Sequence, residues 1–162
     1  MFWLKKLIWL NHLFEFVLYK LVYGKRLLLP WHSSFRFGLN IVIDSQDATV
    51  KVGNNCFFNN LCSINCLSHI EIGDNCLFGE NVKIYDHNHK YKGNELIMNQ
   101  GFSCAPVKIG NNCWIGSNVT ILKGVTIGDN CVIGAGCIVF KNIEPNSVII
   151  NKQDLQYGTI GK

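Results

Sequence analysis

An apolar residue returns at every sixth position through the second half of the chain, and this period constrains the fold more than any other feature of the sequence. The series consists of Ile109, Ile115, Ile121, Ile127, Ile133 and Val139. Earlier series with the same period consist of Val52, Phe58, Ile64 and Ile70 and, shifted by two residues, of Ile72, Phe78 and Ile84. A period of six matches neither a helix face nor the simple alternation of a strand. It indicates an all-β solenoid, in which short parallel strands are joined by tight corners and each coil stacks on the last.

Glycine and asparagine recur between the apolar positions, in phrases such as IGDNC and IGNNC. Both residue types adopt left-handed backbone angles at little cost, so we expect them at the corners of the solenoid. The length of 162 residues fits one domain. We predict an N-terminal helical segment over residues 1–36, the solenoid over 37–150 and a tail over 151–162. The period fails within the solenoid, and we expect residues 86–106 to leave it as an extruded loop.

Six of the eight cysteines share one position of the repeat, four residues after its apolar residue: Cys56, Cys62, Cys76, Cys113, Cys131 and Cys137. Valine occupies the same position elsewhere, at Val119 and Val125. Cysteine at such a position behaves as a small buried apolar residue. An even count of cysteines implies disulfides mainly in small secreted chains. We therefore predict reduced, structural cysteines, with Cys66 and Cys104 outside the pattern.

The net charge of +4 is concentrated near the N-terminus. Residues 1–36 contain six basic residues and one acidic residue, whereas residues 37–162 contain nine basic and ten acidic residues. Neutralising the phosphates of a nucleic acid requires clustered Lys and Arg. The charge distribution therefore does not favour a nucleic-acid partner for the solenoid.

The first 27 residues are too apolar for an ordinary surface helix. Asn11, Glu15 and Lys20 nevertheless interrupt the run of about 20 apolar residues that crossing a bilayer requires. At 100° per residue the polar positions collect mainly on one side of the predicted amphipathic helix. Two interpretations stay open: residues 1–27 lie on an anionic membrane surface, or the helix caps the end of the solenoid.

The segment that breaks the period begins with the phrase VKIYDHNHKYKG at residues 82–93. It places His87 and His89 on either side of one asparagine and directly after Asp86. A neutral imidazole that titrates near pH 7 is suited to act as a general base. Asp86 can orient an imidazole or close a turn.

The phrases IGDNCLFGENVKIYDHNHKY and PVKIGNNCWIGSNVTILKGVTIGDNCVIGAGCIVFKNI resemble the hexapeptide-repeat acetyltransferases, in particular the branch that contains galactoside, maltose and polysaccharide O-acetyltransferases. The resemblance spans about residues 50–150. It implies a left-handed parallel β-helix, a homotrimer, and acetyl-CoA bound between neighbouring subunits, with no metal required. It also implies a sugar or glycan acceptor, a role in bacterial surface-polysaccharide assembly, and a cytoplasmic enzyme that is peripheral to the membrane if the N-terminal segment binds lipid.

The same resemblance implies roles for individual residues. His89 aligns with the catalytic histidine, with His87 as the alternative. The residues implied at the coenzyme are Trp114, Ser117, Ala135 and Lys141, with the Ser117 backbone amide as a candidate oxyanion donor. Asn59 or Asn60 is implied near the acceptor. The family's usual aspartate before the second coil is replaced by Cys66 and Leu67, and its usual G-x-P phrase after the last coil is absent.

Three other functions stay open. An N-acetyltransferase that acts on an amino sugar, or a serine acetyltransferase, would use the same donor. A zinc-dependent hydratase on the same fold would require His69, His87 and His89 to converge, because three imidazoles suit zinc. A solenoid that only binds a partner would need none of these side chains.

Overall fold

The computed structural model describes residues 2–152, which form one N-terminal helix followed by a β-solenoid. The helix α1 is Phe2–Tyr23, and short 3-10 helices are Gly24–Arg26 and Ile97–Asn99. The strands are β1 (Leu27–Leu28), β2 (Ser34–Phe35), β3 (Asn40–Ile43), β4 (Thr49–Val52), β5 (Phe57–Phe58), β6 (Ser63–Cys66), β7 (His69–Ile72), β8 (Leu77–Phe78), β9 (Lys83–Tyr85), β10 (His87–His89), β11 (Phe102–Cys104), β12 (Val107–Ile109), β13 (Trp114–Ile115), β14 (Thr120–Ile121), β15 (Thr126–Ile127), β16 (Val132–Ile133), β17 (Ile138–Val139) and β18 (Val148–Ile149).

Three parallel sheets form the sides of the solenoid. Sheet A has the order β1-β4-β7-β12-β15, sheet B has β2-β5-β8-β13-β16-β18, and sheet C has β3-β6-β9-β14-β17. Where the repeat is regular, paired residues are 18 positions apart, as with Ile109 and Ile127. Val52 pairs with Ile72, so this earlier coil is two residues longer, as the shifted series predicts. The all-β solenoid expected from the six-residue period is confirmed, and it matches the left-handed parallel β-helix that the resemblance implies.

The apolar positions of the repeat point into the solenoid and are buried along its whole length. The aromatic members stack directly, because the Phe58 and Phe78 rings are nearly parallel at a centroid separation of 4.4 Å. Apolar burial of this kind is the main contribution to the stability of a fold. The core therefore has the form of a column that runs through every coil.

Asparagines form the corner between sheets A and B, at positions that repeat from coil to coil: Asn55, Asn75, Asn112, Asn130 and Asn146. All five have positive φ angles, between 53° and 62°. Their side-chain amides join the coils, with Asn112 Nδ2 donating to Asn130 Oδ1 at 2.9 Å. The expectation that asparagine forms corners is confirmed, and the amide ladder gives a second reason for asparagine there.

The cysteines are all free, and seven of the eight are buried. Several thiols in the repeat position donate to a carbonyl of the next coil, as Cys76 Sγ does to Gly110 O at 3.1 Å. Burial raises the pKa of the Cys62 thiol to about 11. Cys104 is exposed in β11. Reduced structural cysteines, as predicted, therefore line the core.

The first coil begins at Leu27, so residues 27–36 belong to the solenoid and not to the N-terminal segment in which the sequence places them. Its buried residues Leu29, Phe35 and Ile41 keep the six-residue spacing. Its strands pair 23 residues away, as with Phe35 and Phe58, so this series is out of register with the one that begins at Val52. Over residues 2–152, no helix has the length and apolar character needed to cross a membrane. The tail after residue 152 lies outside the described residues.

The helix α1 packs against the open end of the first coil. Strand β3 is the edge of sheet C, and its outward carbonyls receive side-chain hydrogen bonds. Tyr19 Oη donates to Leu39 O, and Tyr23 Oη donates to Ile41 O at 2.9 Å. These contacts support the interpretation that the helix caps the end of the solenoid, since an unpaired strand edge requires cover.

Candidate functional site

Residues 86–106 leave the solenoid between β9 of sheet C and β12 of sheet A, and we call them the inserted loop. Its two strands, β10 and β11, form an antiparallel hairpin in which His87 pairs with Cys104 and His89 pairs with Phe102. Residues two apart on a strand share a face. The hairpin therefore presents His87 and His89 on the same side.

Phe102 supports both imidazoles. Its ring centroid lies 4.5 Å from that of His89 and 5.3 Å from that of His87. The hydrogen bond from Lys90 N to Gly101 O, at 3.0 Å, makes the facing His89 and Phe102 a non-hydrogen-bonded pair, in which side chains approach most closely. The sequence does not single out Phe102, because this contact depends on the register of the hairpin.

Asp86 is fully buried at the base of the inserted loop. Its carboxylate accepts hydrogen bonds from Leu67 N at 2.9 Å, Ser68 N at 2.7 Å and Cys66 Sγ at 3.2 Å, and it contacts His87 Nδ1 at 2.9 Å. Burial raises the pKa of Asp86, but the Leu67 amide, His87 and the other donors outweigh burial and hold this pKa below its ordinary value. Asp86 therefore remains ionised and orients an imidazole, and it also ties the loop to the preceding coil.

An ionised Asp86 requires a donor at His87 Nδ1, so that nitrogen carries a proton in this hydrogen bond. The His87 side chain is only 19% exposed. His87 is therefore held at the base of the hairpin in a fixed orientation.

His89 is exposed and lines a cavity of about 890 Å³ that is formed mainly by the inserted loop. The other lining residues are Asn88, Lys90, Tyr91, Lys92, Gly93, Asn94, Glu95, Gln100, Ser103 and Lys123. Lys123 reaches the hairpin from the solenoid and donates to Ser103 Oγ at 3.0 Å. His89 thus has access to a ligand, whereas His87 has the buried carboxylate partner.

The predicted coenzyme and acceptor residues lie mostly on another part of the prism. Trp114 is on the outer face of sheet B, where its side chain is 57% exposed. Ser117 follows at the corner between sheets B and C, and its Oγ accepts a hydrogen bond from Glu80 N at 3.2 Å. Its backbone N–H donates to no acceptor within residues 2–152.

Ala135, Asn59 and Asn60 lie at the same corner as Ser117. Ala135 stands one coil beyond Ser117, as shown by the adjacent bond from Gly136 N to Ser117 O at 2.9 Å. Asn59 Oδ1 accepts a hydrogen bond from Asn60 N at 2.9 Å. These residues form one column along the prism axis.

Lys141 belongs instead to the corner near the inserted loop. Strands β14 and β17 are paired, with Ile121 opposite Val139, and this register places Lys141 one coil beyond Lys123. The Lys141 side chain is exposed, and its Nζ lies 5.7 Å from the Phe140 ring centroid. Lys141 therefore lies at the corner from which the inserted loop departs. Within residues 2–152, no hydrogen bond or ring contact joins the histidines or Lys141 to Trp114 or Ser117.

The three histidines required by a zinc site do not converge. His69 lies in β7, and its Nδ1 is 2.6 Å from Thr49 Oγ1, whereas His87 and His89 lie in the inserted loop. The described part of the chain contains no group of three His, Cys, Asp or Glu side chains arranged to hold a metal ion. His69 and His89 lie apart because the chain leaves the solenoid after Tyr85.

Comparisons with known proteins agree with the repeat. Residues 106–141 match the family described as bacterial transferase hexapeptide (six repeats). Residues 69–84 match the hexapeptide repeat of succinyl-transferase. The two matches flank the inserted loop and cover the regular coils.

Relatives match over a longer part of the chain. It is 45% identical to the galactoside O-acetyltransferase of Escherichia coli (strain K12) over 105 residues, which are 64% of this chain and 51% of that protein. A maltose O-acetyltransferase from Clostridium difficile 630 is 40% identical, with a TM-score of 0.57 over 69% of this chain and 64% of the other. A galactoside acetyltransferase in complex with coenzyme A is 38% identical, with a TM-score of 0.55 over 69% and 60%.

The chain thus spans about half of the curated relative and less than two thirds of either solved structure. The family matches lie in the repeat region, on which the sequence resemblance rests. The resemblance is confirmed: this chain carries the hexapeptide repeats of the bacterial transferase family and is similar to its galactoside and maltose O-acetyltransferase branch.

Proposed function

We propose that the protein transfers an acetyl group from acetyl-CoA to the hydroxyl of a sugar. The observation that carries this proposal is the inserted loop, which presents an accessible His89 at a cavity and anchors itself through the buried Asp86–His87 pair. The similarity to galactoside and maltose O-acetyltransferases, one of them in complex with coenzyme A, supports the reaction class and the donor.

The proposed mechanism is direct attack. His89 accepts the proton of the sugar hydroxyl as its oxygen bonds to the thioester carbonyl carbon. The carbon–sulfur bond then breaks, and the coenzyme thiolate takes up the proton, so the products are an acetyl ester and free thiol. Ser117 N–H, which has no acceptor among the described residues, is available to stabilise the oxyanion.

The exposed side chains fit a coenzyme. Trp114 offers a flat apolar surface, and the exposed Lys141 can meet a phosphate. Ala135 leaves the column beyond Ser117 open, because its side chain is a single methyl group. Asn59 or Asn60, in that column, is proposed to bind the acceptor.

We further propose a homotrimer, because Trp114, Ser117 and Ala135 lie on a different part of the prism from His89. The outer face of sheet B carries an apolar column in paired register: Phe57, Leu77, Trp114, Val132 and Val148. The outer face of sheet A carries Lys51, Glu71 and Lys108 in the same register. An exposed apolar column beside a charged sheet favours subunit contact at sheet B.

The biological setting is proposed from the resemblance and from the cysteines. A set of free, buried thiols is typical of a reducing compartment, which supports a cytoplasmic enzyme. Acetylation of a sugar hydroxyl would serve the assembly of capsule, O-antigen or exopolysaccharide.

Thiol release from acetyl-CoA, measured with a panel of free, nucleotide-linked and lipid-linked sugars, tests the proposal. We expect release that depends on the acceptor and a product ester that hydroxylamine cleaves. An amide product that resists hydroxylamine would show N-acetylation, and no release with any acceptor would remove the proposed activity.

His89→Ala should lower kcat by at least about 10²-fold, which is the lower end of the range for loss of a general base. The KM for acetyl-CoA should change little. His87→Ala should have a milder effect, because His87 positions the hairpin. His69→Ala is the matched control, since His69 is a partly exposed histidine outside the inserted loop. If His87→Ala has the larger effect, the base is the imidazole held by Asp86.

A further inference from the structure

The helix α1 exposes an apolar stripe on the side that faces away from the solenoid. The stripe consists of Leu10, Phe14, Val17, Leu18, Leu21 and Val22, whose exposed fractions run from 45% to 77%. At 100° per residue these positions fall within an arc of about 140°. We call this set the outer stripe.

The opposite side of the helix already has its folding partner. Its inward positions are aromatic: His12, Phe16, Tyr19 and Tyr23. The His12 ring lies 4.2 Å from the Phe35 ring, and the Phe16 ring meets Trp31 edge-on at 5.0 Å. The helix is thus inverted relative to an ordinary surface helix, since its polar aromatic groups face the protein and its aliphatic side chains face outward. The outer stripe is therefore not required for capping.

Charge around the stripe favours one kind of occupant. Residues 1–36 contain six basic residues against one acidic residue, while the rest of the chain is close to neutral. Lys20 and Arg26 bond to carbonyls of the first coil, and Lys25 is exposed directly after the helix. Aliphatic side chains on a cationic segment are typical of helices that lie in the headgroup region of an anionic bilayer.

We propose that the outer stripe docks the protein on an anionic lipid surface. The helix lies with its axis in the plane of that surface, because the outer stripe runs along the helix from Leu10 to Val22. The cap and the lipid contact use opposite faces, so one helix performs both roles. This proposal is independent of the acetyl-transfer activity.

Co-sedimentation of the full chain with unilamellar vesicles tests the proposal. We expect binding to phosphatidylcholine vesicles that contain about 30% phosphatidylglycerol, weaker binding as salt rises, and little binding to phosphatidylcholine alone. The double variant Phe14→Gln/Leu21→Gln should lower the partition coefficient at least about tenfold. Both side chains are exposed, so its thermal midpoint should stay unchanged.

The matched control is Ile138→Gln/Ile150→Gln, which replaces two similarly exposed apolar residues at the other end of the solenoid. It should bind vesicles like the unmodified chain. Absence of vesicle binding, or equal binding by the stripe variant, would overturn the proposal. A stripe variant that changes only the mass in solution would show instead that a second copy of the chain covers the stripe.

Discussion

At residue 86 a buried carboxylate joins the solenoid to the inserted loop. Asp86 receives two backbone amides from residues 67 and 68, at the corner of the preceding coil, and it also holds His87. The two amides cannot find other acceptors without moving the corner. A single side chain therefore fixes both the point at which the loop departs and the orientation of the first imidazole.

Asp86→Asn should lower the free energy of unfolding by about 1–3 kcal/mol at neutral pH. The NH2 group of the asparagine would face one of the donors that the carboxylate accepts from, and two donors cannot form a hydrogen bond. The sign of the pH dependence follows from the lowered pKa of Asp86 in the folded protein. The unfolded state binds this proton more tightly. The stabilisation is therefore complete above the unfolded value of about 3.9 and is lost as the pH falls through the lower folded pKa. Urea unfolding between pH 3 and 7 should show the difference between the two proteins narrowing toward acid. A constant difference would contradict the assigned role.

The residues of this site differ in how far the sequence could predict them. Asp86, His87 and His89 are adjacent in one phrase that breaks a strong period, and this break is visible without a structure. Phe102 and Lys123 reach the histidines through a hairpin register and a coil-to-coil stack, and neither leaves a local signal. Cys66 lies outside the cysteine pattern because its thiol contacts Asp86.

At the scale of elements, α1 closes one end of the solenoid by bonding to the exposed edge of β3. Tyr19, Tyr23 and Arg26 direct their polar groups at successive outward carbonyls of this edge. No strand of the described residues pairs with these carbonyls, so the helix supplies the hydrogen bonds that a further coil would otherwise supply. Such cover also blocks pairing of the edge with another chain.

Tyr19→Phe/Tyr23→Phe should lower the free energy of unfolding by about 1–3 kcal/mol, the sum of two ordinary hydrogen bonds. Chemical denaturation monitored by circular dichroism measures the change. Tyr91→Phe serves as the control, because Tyr91 is exposed in the inserted loop and should leave the stability unchanged. Equal stabilities for all three proteins would mean that the helix does not cap the edge.

The strands of the regular coils could be predicted from the sequence, because each coil repeats an apolar residue, a corner asparagine and a small residue at the same spacing. The first coil is harder to recognise, since its buried series of Leu29, Phe35 and Ile41 is short and its 23-residue pairing puts it out of register with the series that begins at Val52. The orientation of α1 also could not be read from its amphipathic pattern. The pattern shows that the helix has two different faces. It does not show that the aromatic face packs on the sheet edge, because that contact depends on where the first coil ends.

At the scale of the whole molecule, the prism separates two sets of functional residues. His89 and Lys141 lie at the corner between sheets C and A, whereas Trp114 and Ser117 lie on sheet B and at its corner with sheet C. A ring of three chains that buries the apolar face of sheet B would bring one chain's histidine to its neighbour's tryptophan. Light scattering should then give a mass about three times the 18.3 kDa of one chain.

Hybrid trimers test whether such a site is shared. His89→Ala chains and Trp114→Ala chains, co-expressed with different tags, should assort at random into trimers, and each parent alone should have low activity. If His89 of one chain acts with Trp114 of the next, a site is intact when its first chain has the Trp114 change and its second has the His89 change. About one quarter of the sites meet this condition, so the mixture should recover about one quarter of the unmodified activity. If both residues of a site came from the same chain, every site would lack one of them, and the mixture would stay at the level of the parents.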